Sequence, residues 1–182
     1  MSLPVEIVLQ QMITNSVISQ CIYVAAKLGI SDILASGTKN ITEIASKTNT
    51  HSGALYRLLR TLASVGIYAE TTTENFVLTP LAELLKTDIP NSLNAMALMW
   101  GESWHLLPWL NLMSSVKTGE NSFEEVFKKP VFAYFQENPE ANTIFNDTMT
   151  NFSSLVKDSI AKSYDFSGVN TIVDVAGGQG IL

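Results

Sequence analysis

The residues whose types and spacing come nearest to chemistry are Asp174-Val175-Ala176-Gly177-Gly178-Gln179-Gly180. They continue from Thr171-Ile172-Val173, so the run Thr171 to Val175 has the β-branched, apolar composition of a strand covered on both faces of a parallel sheet. Glycines directly after such a strand let the backbone turn sharply and bring amide groups close to a ligand. A dinucleotide fingerprint requires Gly-x-Gly-x-x-Gly. Started at Gly178 it runs past Leu182, started at Gly177 it meets Gln179, and started at Ala176 it lacks its first glycine. If Ala176 holds φ below zero its methyl group is tolerable; with φ above zero it would be strained.

His51, His105 and Cys21 are the other side chains suited to proton or thiol chemistry near neutral pH. His51 sits at a turn and reads as a capping or exposed residue. His105 lies in a tryptophan-rich helical stretch and reads as a satisfied structural histidine, with a place beside a bound molecule as the alternative. Cys21 cannot form an intramolecular disulfide and reads as a buried reduced thiol. No metal site is expected.

Eleven Lys plus Arg against seventeen Asp plus Glu give a formal charge of −6, the wrong sign for a chain whose main partner is a polyanion. With 46% hydrophobic and 15% charged residues the chain forms a core rather than a disordered tract. The N-terminus lacks a basic segment followed by a long apolar core, and no apolar run reaches the roughly 18 residues that span a bilayer. A cytoplasmic protein without membrane or nucleic-acid partners is expected.

The elements that must position these residues read as mainly α. Val5, Val8, Leu9 and Met12 begin a long helix ending near Gly29, packed on its own domain or on a second copy of the chain. Asn40 and Glu43 form a helix-capping pair, Thr48-Asn49-Thr50 breaks that helix, and a second runs from Ser52 to Val65 with Leu55, Leu58, Leu59 and Leu62 on one stripe. Gly66 suits its left-handed cap. Two β-type runs, Gly66 to Ala69 and Phe76 to Leu78, flank the polar stretch Glu70 to Asn75. Helix, turn, helix and hairpin is the order of a winged helix. Between Thr38 and Pro90, however, Lys39, Lys47, Arg57, Arg60 and Lys86 are balanced by Glu43, Glu70, Glu74, Glu83 and Asp88, so no basic face is offered to phosphates.

Helices are expected at 81–85, 91–100 and 104–117, and from Asn138-Pro139-Glu140 to about Tyr164. Trp100, Trp104 and Trp109, with Met96, Met99 and Met113, read as core, the alternative being the wall of an apolar small-molecule pocket.

The pattern that does read through the loop is Asp174-x-Ala176-x-Gly178-x-Gly180. It is similar to the first motif of class I S-adenosylmethionine-dependent methyltransferases, Asp-x-Gly-x-Gly-x-Gly, with alanine at its first glycine. Nearly the whole chain resembles the N-terminal part of the small-molecule O-methyltransferase family that includes plant caffeic acid and animal hydroxyindole enzymes. The resemblance rests on "YVAAKLGISDIL", "ITEIA…LYRLLRTLASVGIY", "LTPLAELL", the tryptophan region, "KTGENSFEEVF", "NPEANTIFNDTM" and "VDVAGGQG" in order.

That resemblance implies a winged-helix dimerisation domain at 1–90, a helical segment at 91–168 that links to and lines the active site, and the beginning of a Rossmann-like cofactor domain at 169–182. It further implies S-adenosylmethionine as cofactor, a homodimer, and methyl transfer to a hydroxyl of a small, apolar or aromatic molecule. Carried over by position, Asp174, Ala176, Gly177, Gly178, Gly180 and Ser153 would meet the cofactor, and Phe132, Phe145 and Met149 the acceptor. The family's catalytic histidine lies beyond this sequence, so no catalytic residue is assigned within it, and the chain reads as a fragment. Thr171 to Leu182 is expected to be disordered, or paired with another chain, for want of a sheet to join. The alternative is a non-catalytic dimeric winged-helix protein that binds DNA or a ligand.

Overall fold

The structure, a computed structural model, describes residues 3–180 and divides into two compact units, Met1–Ile89 and Pro90–Leu182. The first unit opens with α1 (Val5–Lys27) and α2 (Ile30–Leu34), separated by Gly29, whose φ of 64° is the left-handed conformation that a residue without Cβ takes at no cost. Most of α1 is unaccompanied: only Ala25 and Ala26 are buried, whereas Val5, Leu9, Met12, Ile13 and Val17 are exposed. Cys21 on this helix is a half-buried free thiol, and burial pushes its ionisation up.

The core of this unit forms where the amphipathic helices α3 (Ile41–Thr48) and α4 (Ser52–Ser64) turn their apolar stripes inward. Leu59 and Leu62 are fully buried, Leu55 nearly so, and Leu58 only half. Removing one such leucine from water is worth roughly 1.5–3 kcal/mol. Short-range chemistry sets the helix ends. The Asn40 side chain accepts from Thr42 N at 3.0 Å, Asn49 closes α3 at φ 51°, and His51 Nδ1 accepts from Ala54 N at 3.2 Å at the start of α4. Glu43 does not complete a reciprocal capping pair; it turns outward to Lys39 and Lys47 at 3.0 and 3.2 Å.

The strands differ from the sequence expectation. β2 (Tyr68–Thr72) and β3 (Asn75–Leu78) extend into the polar stretch and leave a two-residue turn, with Glu74 at φ 66°. An unexpected β1 (Lys39–Asn40) pairs with β3, giving an antiparallel sheet of order β1-β3-β2. Glu70 explains why polar residues extend β2. Its carboxylate accepts from Tyr56 Oη at 3.0 Å and from Glu74 N at 2.7 Å, tying α4 to the hairpin. Beneath the sheet Tyr68 is buried with its hydroxyl 3.0 Å from Ser31 Oγ, and burial pushes its pKa up to about 12. α5 (Pro80–Glu83) closes the unit, capped by Thr79.

The second unit is helical: α6 (Asn94–Gly101), α7 (Ser103–Leu110), α8 (Leu112–Thr118), α9 (Ser122–Phe127), α10 (Val131–Glu137) and α11 (Pro139–Ser163). The helix expected across 104–117 is two helices. Pro108 lies inside α7 and removes one backbone donor, and the chain bends at Asn111, whose side chain donates to Glu125 Oε2 at 2.7 Å. Met99, Trp104, Phe135, Ala141 and Ile144 form the buried centre of this unit.

The expected strand at 171–175 is not formed. Residues 170–180 are irregular, and Ile172, Val173 and Val175 are exposed, because among the described residues no neighbouring strand completes their hydrogen bonds. The expected second-domain segment 169–182 also includes Ile181 and Leu182, which lie outside the described residues. The described residues are thus mostly helical with one small sheet. No helix among the described residues is long and apolar enough to cross a membrane.

Candidate cofactor loop and aromatic cavity

Two hollows in the second unit gather the residues of interest. In the first, α11 supplies Met149, Thr150 and Ser153 while the loop supplies Ala176, Gly177 and Gly178, around a space of about 70 Å³. Residues four apart on a helix share a face, which is why Met149 and Ser153 meet the loop together. Thr150 Oγ1 donates to Gln179 Oε1 at 3.2 Å and fastens the loop to the helix. The loop's backbone explains its composition. Gly178 and Gly180 have φ of 56° and 68°, and a Cβ built on Gly177 would overlap the Asp174 carboxylate. Ala176 also has positive φ, 63°, so the non-glycine departure in this motif falls on the strained side, at a cost of roughly 1–2 kcal/mol. Asp174 and Gly180 stand outside the small hollow, Asp174 folded back on Gly177.

The second hollow is a cavity of about 320 Å³. Its wall includes Met99, Trp104, Trp109, Phe123, Phe135 and Phe145, contributed by α6, α7, α9, α10 and α11. Rings pack edge to face or tilted around it, Trp104 with Phe135 at 5.1 Å and Phe135 with Phe145 at 4.9 Å between centroids. The tryptophans therefore divide. Trp104 is core and wall at once, whereas Trp109 lines the cavity and is 60% exposed. Phe145 belongs to this cavity and Met149 to the small hollow. Phe132, 66% exposed, lines neither and packs its ring edge-on to Phe135 and Phe145.

His105, expected to be a satisfied structural residue, is unsatisfied. Its half-buried ring lines the cavity among Trp100, Trp104 and Trp109, and Nδ1 is buried with no hydrogen-bond partner among the described residues. Trp104 Nε1 is in the same condition. Burial pushes the His105 pKa down, which favours the neutral ring. The sequence carried one signal of this arrangement: a histidine within a dense tryptophan cluster, whose polar atoms have few partners in reach. His51, by contrast, is exposed and only caps α4. Among the described residues no group of three or more His, Cys, Asp or Glu could hold a metal ion.

Comparison with known proteins matches the sequence to one group. Residues 10–88 match the family model of the O-methyltransferase dimerisation domain, and residues 109–182 that of the O-methyltransferase domain. The chain belongs to the O-methyltransferase family in which these domains follow one another. It is similar to phenazine O-methyltransferase PhzM of Lysobacter antibioticus, 39% identical over 181 residues that make up 100% of this chain and 53% of that protein. Among solved structures it is similar to LaPhzM, with a TM-score of 0.93 and 39% identity over 98% of this chain and 54% of that one. It is also similar to NcsB1, an O-methyltransferase from neocarzinostatin biosynthesis solved with S-adenosyl-L-homocysteine and 1,4-dihydroxy-2-naphthoic acid. There the TM-score is 0.73 and the identity 27%, over 89% of this chain and 50% of that one. The chain spans about half the length of the curated relatives it matches.

Proposed function

We propose that this chain is the N-terminal part of an S-adenosylmethionine-dependent O-methyltransferase that methylates a hydroxyl of a small aromatic molecule. The observation that carries the reading is the meeting of the Gly177-Gly178 turn with Met149 and Ser153 of α11, close in sequence to the helix residue Phe145 that lines the aromatic cavity. Cofactor and acceptor would then share one helix.

The residues present fit the cofactor. Gly177 has no room for a side chain beside Asp174, and Gly178 and Gly180 take the left-handed turns that present backbone amides. Asp174, Ala176, Gly177, Gly178, Gly180 and Ser153 would hold it through loop amides, a carboxylate and a hydroxyl. When bound, the cofactor supplies a methyl group on a sulfonium. Phe145 and Met149, with Phe132 beside them, would exclude water and orient the acceptor oxygen, the part of the barrier a protein can lower without covalent chemistry. We assign no catalytic base within these residues.

Three further elements complete the reading. The α3-α4 pair followed by the β2-β3 hairpin supports a winged-helix domain at 1–90 used for dimerisation rather than for DNA, since its charges cancel. The uncovered apolar residues of α1 support a homodimer that buries them. Residues 91–168 would line the active site and 169–182 begin the Rossmann-like domain. The unpaired Cys21 supports a cytoplasmic location.

The test is incubation of the full-length protein with S-adenosylmethionine and a panel of hydroxylated aromatics, read by mass spectrometry. Gain of one methyl group on oxygen is expected. Consistent absence of transfer to any member, with the protein folded and dimeric by sedimentation, overturns the reading.

A further inference from the structure

The aromatic cavity contains an imbalance that its hydrocarbon walls do not explain. Two of its polar side-chain atoms are already engaged. Asn121 Oδ1 accepts from Phe123 N at 2.8 Å, and Ser122 Oγ lies 2.8 Å from Ser115 Oγ and donates to Asn111 O at 3.1 Å. Trp104 Nε1 and His105 are not: among the described residues neither ring nitrogen of His105 has a hydrogen-bond partner, and of the two only Nδ1 is fully buried, so Nε2 is the nitrogen that reaches accessible surface. Trp100, Trp104 and Trp109 have ring centroids 4.8, 5.9 and 6.3 Å from that of His105. In the tautomer that carries its proton on Nδ1, Nε2 presents a lone pair.

From this we infer that His105 is a specificity-determining residue: its Nε2 accepts a hydrogen bond from the hydroxyl of a planar, fused-ring aromatic molecule seated between the rings of the cavity. The inference rests on the methyl-acceptor reading above and sharpens it. A space of about 320 Å³ is at the small end of ligand pockets, which run from roughly 300 to 1,000 Å³, and suits two or three fused rings. Flat aromatic walls select the planar body. A hydrocarbon would satisfy those walls equally well and leave Nε2 without a partner, so the hydroxyl is what His105 adds. His105 acts here by choosing and orienting the acceptor.

The experiment is titration calorimetry of the full-length protein with two probes of equal shape, 1-naphthol and 1-methylnaphthalene. Wild-type protein is expected to bind the naphthol about tenfold more tightly, the value of one net hydrogen bond. His105→Phe keeps the stacked ring and removes the acceptor, so naphthol affinity should fall to that of methylnaphthalene while methylnaphthalene affinity is unchanged. His105→Gln, which places an amide oxygen near the Nε2 position, should restore part of the preference. A preference retained in His105→Phe, equal loss of both probes, or failure of the wild type to bind either overturns the inference. Methyl transfer to 1-naphthol, followed by mass spectrometry in the same samples, separates the two readings. Transfer together with a preference that survives His105→Phe removes this inference and leaves the methyltransferase; a His105-dependent preference with no transfer to any hydroxylated aromatic leaves the binding site and removes the methyltransferase.

Discussion

The two units solve the burial of aromatic and polar side chains in opposite ways. In the first, Tyr68 and Phe76 are fully enclosed, and the buried hydroxyls of Tyr68 and Ser31 meet each other at 3.0 Å. In the second, a larger set of aromatic rings surrounds a cavity instead of filling it, and Trp104 Nε1 and His105 Nδ1 are buried with no partner among the described residues. A closed, satisfied core maximises stability. An unfilled one with unmatched polar atoms forgoes some of it, and such departures from good packing concentrate where a protein binds something.

The strongest way to break this contrast is to open the closed core. Leu59→Ala, at a fully buried position, should destabilise the first unit by about 2–5 kcal/mol in chemical denaturation. Phe145→Ala, at the wall of an existing cavity, should cost less, because the new space joins one already present. Equal losses would show that the cavity wall is packed as tightly as the core. Next in size, Ser31→Ala should cost about 1–3 kcal/mol by stranding the Tyr68 hydroxyl, whereas no comparable loss follows from His105→Phe, whose Nδ1 has no protein partner to lose.

A pH series sharpens the same point. Burial lowers the folded pKa of His105, so the unfolded chain takes up the proton more readily, and stability contributed by the neutral ring is full above the unfolded value of about 6.5 and is lost as pH falls below it. Thermal midpoints measured between about pH 5 and 7 should therefore fall toward acid more steeply in wild type than in His105→Phe. The smallest effect is expected in the loop. Ala176→Gly removes left-handed strain but adds unfolded-chain freedom, and these nearly cancel, so the stability of the full-length protein in chemical denaturation should change by less than about 1 kcal/mol.

How far these features could be read beforehand depends on the range of the interaction. The Asn40 cap, the His51 cap and the turn at Gly66 are settled within three or four residues, and each was legible. The outward turn of Glu43, in place of a reciprocal cap, was not, because Lys39 and Lys47 compete for its carboxylate from one helical turn on either side. Polar composition misled at Glu70, which reads as loop but is held in β2 by Tyr56, fourteen residues earlier.

By itself the sequence determined the mainly helical class, the stripes of α3 and α4, the glycine turn and the family to which these motifs belong, since periodicity, capping and motif order are properties of neighbouring residues. Only the tertiary structure decided that Trp104 and His105 of α7 meet Phe135 of α10 and Phe145 of α11 around an unfilled space, and that Met149 and Ser153 face the loop at Gly177. Those meetings join residues tens of positions apart, and whether such side chains fill a core or enclose a cavity depends on how the helices approach one another, which no local pattern encodes.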